Sequence, residues 1–177
     1  MPSDSDLQRL RSGIRDVPDF PKPGIVFKDI TPVLADASLL RIAVDCFAEA
    51  ARTVGAQKIV GVDARGFIFG AAVAYELSLG FVPVRKKGKL PYQRQSAAYT
   101  LEYGEAVVEM HTDAIHKGER VVLIDDLLAT GGTAAAAIRL IEIMGGVLLE
   151  AQFLIELGFL NGRKNLPTNS VRAFLQF

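Results

Sequence analysis

One cysteine, two histidines and no excess of either charge set the first limits on this chain of 177 residues. Cys46 has no partner for an intramolecular disulfide, and with only His111 and His116 beside it cannot complete a soft structural zinc site. Disulfide scaffolds and zinc hydrolases are therefore set aside. Twenty Lys and Arg balance twenty Asp and Glu, which leaves no global field to draw in DNA or an anionic membrane, so neither nucleic acid nor membrane is an expected partner. Long apolar runs are missing too. Residues 66–75, bracketed by Arg65 and Glu76, fall far short of the roughly 20 residues that a membrane span requires. The opening Pro2-Ser3-Asp4-Ser5-Asp6 is polar where a secretory signal would be apolar, so a reducing cytoplasm is the expected location. What is present is enough for a packed core: 50% of residues are apolar and 23% charged, and the length suits one domain.

Along the chain, residues 3–14 carry a capping Ser or Asp followed by Leu7, Leu10 and Ile14, the spacing of a short amphipathic helix. In Val17-Pro18-Asp19-Phe20-Pro21-Lys22-Pro23-Gly24 three prolines forbid helix and favour a stiff extended arm. A helix from residue 36 presents Leu40, Ala43, Val44, Phe47 and Ala51 on one face and closes at Gly55. The pattern then alternates: strand 58–62, helix 67–78, strand 81–84, strand 120–124, helix 133–144, strand 147–157 and a last strand over 171–174. Between them, runs 99–103 and 106–110 split by Gly104-Glu105 read as an antiparallel hairpin that follows a long flexible loop. The expectation is a single α/β domain over 1–177: a parallel sheet flanked by helices in a core of about 36–177, preceded by an N-terminal arm of about 1–35.

In such sheets ligands bind beyond the carboxyl ends of the strands. The most informative end is Ile124-Asp125-Asp126-Leu127-Leu128-Ala129-Thr130-Gly131-Gly132-Thr133, where two acids precede a glycine-rich loop and a helix start. Glycines let the backbone approach a ligand, and a helix N-terminus offers unpaired amides at the positive end of its dipole. That suits a phosphate monoester. Carboxylates repel a bare phosphate, so the acids ask for sugar hydroxyls or a metal, and a ribose phosphate satisfies both halves. The plain alternative is a helix capped by Thr130 or Thr133 with solvated aspartates. No GxGxxG is present, and Gly61 to Gly66 has the Walker spacing but is followed by Phe67. Two other strand ends carry charge: Gly61-Val62-Asp63-Ala64-Arg65-Gly66, and Arg85-Lys86-Lys87-Gly88-Lys89 with four cations in five residues.

On these residues the chain resembles the type I phosphoribosyltransferases. Phe20-Pro21-Lys22-Pro23-Gly24-Ile25-Val26-Phe27-Lys28-Asp29-Ile30, Val62-Asp63-Ala64-Arg65-Gly66-Phe67, Arg85-Lys86-Lys87-Gly88-Lys89-Leu90-Pro91 and Leu101-Glu102-Tyr103-Gly104 are similar to the adenine-using branch. The resemblance implies transfer of the 5-phosphoribosyl group from phosphoribosyl pyrophosphate to N9 of adenine, giving AMP and pyrophosphate in purine salvage. It implies magnesium held mainly on substrate oxygens, with no protein metal ligand.

By the same resemblance, Ala129, Thr130, Gly131, Gly132 and Thr133 hold the 5′-phosphate, and Asp125 and Asp126 take the ribose hydroxyls and steady developing positive charge. Asp63, Ala64 and Arg65 form a pyrophosphate loop with a strained Asp63-Ala64 peptide. Arg85, Lys86 and Lys89 neutralise the leaving group, part of that segment reaching a neighbouring subunit, so a homodimer is implied. Residues 92–98 fall in a mobile closing loop. Glu102 is the acid near N7 of the base, and Tyr103 lies by the phosphates. The arm becomes a hood over the base, with Phe27 as platform and the main chain of Val26 and Lys28 reading the 6-amino edge; Phe20 is the secondary candidate.

Each assignment has an ordinary counterpart: a surface ion pair for Arg65, a solvated basic turn for 85–89, a solvent-facing strand position for Glu102, and core cover for Phe27. At the level of the whole chain, three rivals stay open. They are a phosphoribosyltransferase for another base, a ligand-sensing regulator that binds nucleic acid, and a nucleotide-binding scaffold without catalysis.

Overall fold

The computed structural model describes residues 2–100 and 105–177, and the backbone alone of Thr100 and Glu105. The chain divides into two compact units, Met1–Cys46 and Phe47–Phe177.

The first unit opens with α1 (Asp4–Gly13), whose start is fixed by a reciprocal capping box between Ser3 and Asp6. Strands β1 (Arg15–Pro18) and β2 (Val26–Asp29) pair antiparallel, with Val17 opposite Phe27. The proline-rich arm is thus the tip of a two-stranded ribbon, a pairing that its prolines alone did not announce. Lys28 donates to Asp16 across the ribbon at 2.6 Å, and the rings of Phe20 and Phe27 meet edge-on at 5.3 Å. Helix α2 (Thr31–Ala35) follows with Pro32 in its first turn, and α3 (Ala37–Val54) runs from this unit into the next.

The second unit holds a seven-stranded sheet in the order β5-β6-β4-β3-β7-β8-β9. Its strands are β3 (Lys58–Val62), β4 (Gly80–Lys86), β5 (Arg94–Thr100), β6 (Glu105–His111), β7 (Arg120–Leu128), β8 (Val147–Glu156) and β9 (Val171–Gln176). The pairs β4–β3, β3–β7, β7–β8 and β8–β9 are parallel, and β6 is antiparallel to both β4 and β5. Because both faces of the parallel strands are covered, they are continuous apolar runs: Val121, Val122, Leu123 and Ile124 are all fully buried. One face is packed by α5 (Gly132–Ile143), whose run of four alanines from Ala134 to Ala137 lets the helix lie close. Phe47, Phe69 and Phe174 meet in an aromatic cluster elsewhere in this unit, with ring centroids 5.0 and 5.4 Å apart.

The topology itself selects a binding crevice. From β3 the chain passes through α4 (Arg65–Glu76) to β4 on one side, and from β7 through α5 to β8 on the other. The order reverses between β3 and β7, the place where an open α/β sheet leaves a crevice at its carboxyl edge. Gly61 lies opposite Ile124 in register, so the segments that follow these two residues start side by side.

Two expectations need adjustment. The strand expected over 120–124 runs on to Leu128, carrying both acids inside a paired strand, since β8 continues beside it to Glu156. Residues 94–98, expected in a mobile loop, belong to β5 and pair with β6 from Arg94 opposite His111 onward. Their polar character reflects an edge strand with one solvated face. The segment over 158–167 forms two short 3₁₀ turns, Gly158–Leu160 and Gly162–Asn165.

Candidate active site

A cavity of about 380 Å³ opens at this switch point. Val62, Asp63, Ala64 and Arg65 line it from the end of β3, and Asp125 through Ala134 from the end of β7 and the start of α5, with Lys86, Tyr99 and Val108 beside them. Three charged strand ends far apart in sequence thus converge in one place.

The phosphate-loop candidate has a specific local cause. Gly131 takes the N-cap position of α5 at φ +85°, a left-handed conformation that side chains resist, and being glycine it offers the first turn no side-chain cap. The alternative of a threonine cap therefore fails, and the amide-rich helix start lines the cavity instead. Beside it, the Asp125 carboxylate accepts from the Asp126 amide at 2.9 Å, while Asp126 is only 5% exposed and pairs with Arg65. The acids are thus not a freely solvated strand end; burial of Asp126 follows from the extension of β7 past both. Poor solvation of Asp125, followed by the neighbouring Asp126 charge, pushes its carboxyl well above the usual range; the Asp126 amide and Arg65 offset this only in part.

On the β3 side, the Asp63–Ala64 peptide is cis, at the position singled out by the family resemblance. Arg65 begins α4, and Gly66 brings that helix start against β7: a Cβ there would lie 2.8 Å from both the Asp125 carboxylate and the Ile124 carbonyl. Arg85 sits 3.5 Å from the Asp63 carboxylate and donates to the Lys89 carbonyl, so it braces the basic turn. Of the basic segment only Lys86 lines the cavity; Lys87 and Lys89 are exposed beyond it. Val26, Phe27 and Lys28 belong to the first compact unit, and Glu102 and Tyr103 lie outside the described residues.

Two functional neighbours were not foreseen. Tyr99, in the expected hairpin but given no role there, lines the cavity from β5. Glu109, 2% exposed, lies in register with Arg85 and accepts from the Gly88 amide at 2.8 Å, from Ser96 and from Arg94. It thereby anchors the basic turn, and accounts for Arg94, which matched no pattern. Burial works against ionising Glu109, but the Gly88 amide, Arg94 and Ser96 together hold its carboxyl below the ordinary value. Stability from a depressed carboxylate is present above the unfolded value of about 4.3 and is lost as pH falls through the lower folded value. Glu109→Gln should therefore lower the Tm by several degrees at pH 7, and the gap from the parent should close as pH falls below about 4. Thermal melts across that range check it; a gap independent of pH would rule out the charged contribution.

Comparison with known proteins agrees with this geometry. Residues 39–155 match the phosphoribosyl transferase domain family. An adenine phosphoribosyltransferase of Nitrosococcus oceani is 49% identical over 171 residues, 97% of this chain and 100% of that one. The crystal structure of adenine phosphoribosyltransferase from Rhodothermus marinus superposes with a TM-score of 0.93 at 52% identity, covering 99% of this chain and 100% of that one. That of the Saccharomyces cerevisiae enzyme, complexed with adenine and an imino-altritol bisphosphate, also has a TM-score of 0.93, at 41% identity, covering 98% of this chain and 100% of that one. Identity near one half across almost the whole chain, on the same fold and around this crevice, makes the chain a member of the adenine phosphoribosyltransferases within the phosphoribosyl transferase domain family.

Proposed function

We infer that the chain transfers the 5-phosphoribosyl group from phosphoribosyl pyrophosphate to N9 of adenine, releasing pyrophosphate and forming AMP, the salvage reaction of its family. The observation that carries this reading is a single cavity lined both by an uncapped helix N-terminus and by two adjacent carboxylates. One suits the 5′-phosphate and the other the ribose diol, and their adjacency suits no simple anion.

The substrate is laid out accordingly. The amides and hydroxyls of residues 129–133 take the 5′-phosphate, and Asp125 and Asp126 accept from the 2′- and 3′-hydroxyls. The main chain of Asp63 and Ala64, with Arg65 and Lys86, faces the pyrophosphate. Arg65, held by Asp126, is already oriented at the cavity wall before it meets that anion. As the C1–O bond lengthens, its electron pair leaves with pyrophosphate and the ribose gains positive charge, which the preorganised carboxylates stabilise. N9 of adenine then bonds to C1, and the proton it carried passes to the released pyrophosphate or to water. Glu102 is assigned to the N7 edge of the base and Tyr103 to the phosphates; Phe27 serves as the platform, with Val26 and Lys28 reading the 6-amino group through their main chain.

The donor chemistry fits magnesium. The cavity offers hard carboxylate oxygens in Asp125 and Asp126, the donor type that magnesium prefers, beside the place assigned to the ribose and pyrophosphate oxygens. Magnesium would supply neutralisation of the diphosphate as it departs.

Incubating the protein with magnesium, phosphoribosyl pyrophosphate and each purine in turn tests the reading. AMP should form from adenine, and hypoxanthine should react about 5- to 150-fold more slowly, because its 6-oxo group sets an acceptor against a main-chain acceptor, costing about 1–3 kcal/mol. Turnover of hypoxanthine or orotate in place of adenine would redirect the assignment, and salt-sensitive DNA binding without turnover would overturn it. The same preparation should elute as a homodimer by light scattering, with part of the basic segment 85–89 reaching the neighbouring site. The reducing cytoplasm is its proposed location, as the lone Cys46 suggests.

A further inference from the structure

The segment that follows β8 contributes nothing to the lining of the cavity among the described residues, yet it touches the phosphate-loop candidate at three consecutive residues. The Asn165 side-chain amide donates to the Thr130 carbonyl at 2.8 Å. A Cβ on Gly162 would fall 2.1 Å from the Ala129 carbonyl oxygen and 3.0 Å from its carbon, so that carbonyl points at the Gly162 backbone. A Cβ on Gly131 would in turn lie 2.4 Å from the Gly162 carbonyl oxygen. Two main chains approach here to a distance that only a pair of glycines allows.

This contact decides where the loop's amides point. Among the described residues the only cis peptides are Phe20–Pro21 and Asp63–Ala64, so the peptides joining Ala129 to Thr130 and Thr130 to Gly131 are trans. In a trans peptide the N–H and C=O point in opposite directions. A turn that bonds the Thr130 carbonyl and packs its Gly162 backbone on the Ala129 carbonyl therefore aims the Thr130 and Gly131 amides away from those contacts. The turn is in its own right firmly held. Arg163 donates through Nε to both oxygens of Glu156, the last residue of β8, at 2.8 Å, and through Nη1 to the Val171 carbonyl at the start of β9 at 2.8 Å. Leu157 donates to Leu128 and Gly158 to Phe177, tying the turn's entry to β7 and the chain end.

We propose that Asn165, with the Gly162 main chain, is a positioning element for the ribosyl 5′-phosphate: it presets the Thr130 and Gly131 amides from behind the loop, and the Glu156–Arg163 pair holds it there. The inference rests on the assignment of residues 129–133 to the 5′-phosphate given above.

Asn165 is solvent-exposed apart from this bond, so Asn165→Ala should fold with an unchanged Tm. Losing one hydrogen bond should weaken binding of ribose 5-phosphate, measured by titration calorimetry, about fivefold or more. KM for phosphoribosyl pyrophosphate, and for AMP in the reverse direction, should rise by the same factor. KM for adenine and for pyrophosphate, neither of which carries the 5′-phosphate, should stay within twofold, as should kcat. Unchanged ribose 5-phosphate affinity in the variant, with normal affinity in the parent, overturns this inference alone. A uniform rise in all four KM values, or a fallen Tm, would assign Asn165 a general structural role and also overturn it. Failure of the parent protein to bind ribose 5-phosphate overturns the phosphate-loop assignment and this inference with it.

Discussion

With both Asp125 and Asp126 changed to asparagine, kcat should fall about a thousandfold or more while the protein remains folded. Asparagine keeps the shape and still accepts a hydrogen bond, so the Asp126 amide stays satisfied; what disappears is the negative charge placed where the ribose becomes positive. The stability consequence has the opposite sign for Asp125 alone. Its folded carboxyl titrates above the ordinary value because it is poorly solvated and faces Asp126. Between the unfolded value of about 3.9 and that raised folded value, the folded protein binds more protons than the unfolded chain, so stability falls as pH rises; above the raised value the loss is complete. Asp125→Asn should therefore raise the Tm at pH 8, with the gain shrinking towards zero below about pH 4. Near-normal turnover in the double variant would remove the acids from catalysis, and a Tm gain that grew on acidification would contradict the environment described for Asp125.

A single methyl group at Gly66 should be almost as damaging. The position is buried at the first turn of α4, and an alanine Cβ would meet the Ile124 carbonyl and the Asp125 carboxylate at 2.8 Å. The carbonyl belongs to β7, which is paired on both sides within the sheet, and cannot swing aside, so the helix start must retreat. Overpacking of this kind costs about 1–3 kcal/mol, or roughly 5 °C in Tm for a domain of this size. The retreat carries Arg65 and the Asp63–Ala64 loop with it. Misplacement of such groups by about 1 Å is worth some hundredfold in rate, so Gly66→Ala should lose far more activity than stability. Circular dichroism melts alongside initial rates check it; an alanine variant with full activity would show that the close approach of α4 to β7 has no bearing on the site.

The strand ends that carry charge were legible because the chemistry is written contiguously. Asp125, Asp126 and the loop through Thr133 follow one apolar strand, and Asp63 to Arg65 follow another. The alternation of β-branched runs with helices sufficed for the α/β class, since strands buried on both faces have no other composition. Glu109 was not legible: a glutamate in an alternating strand is ordinarily solvated, and only the pairing of β6 with β4 puts it opposite Arg85 and under the Gly88 turn. Residues 94–98 were misjudged for a related reason, because an edge strand and a polar loop share a composition until a partner strand is known.

By itself, the amino-acid order determined the local parts of this protein: which runs are strands, where glycines free the backbone, and which short motifs hold acids, amides or cations. Such features act over a few residues, within reach of propensity and periodicity. Only the tertiary structure decided that the strand order reverses between β3 and β7, bringing Arg65 to Asp126 across 61 positions and setting Asn165 behind Thr130 across 35. Those contacts come from sheet pairing and chain return, and their physical reason is burial of the apolar strands, which is indifferent to which polar residues it gathers at the sheet's edge.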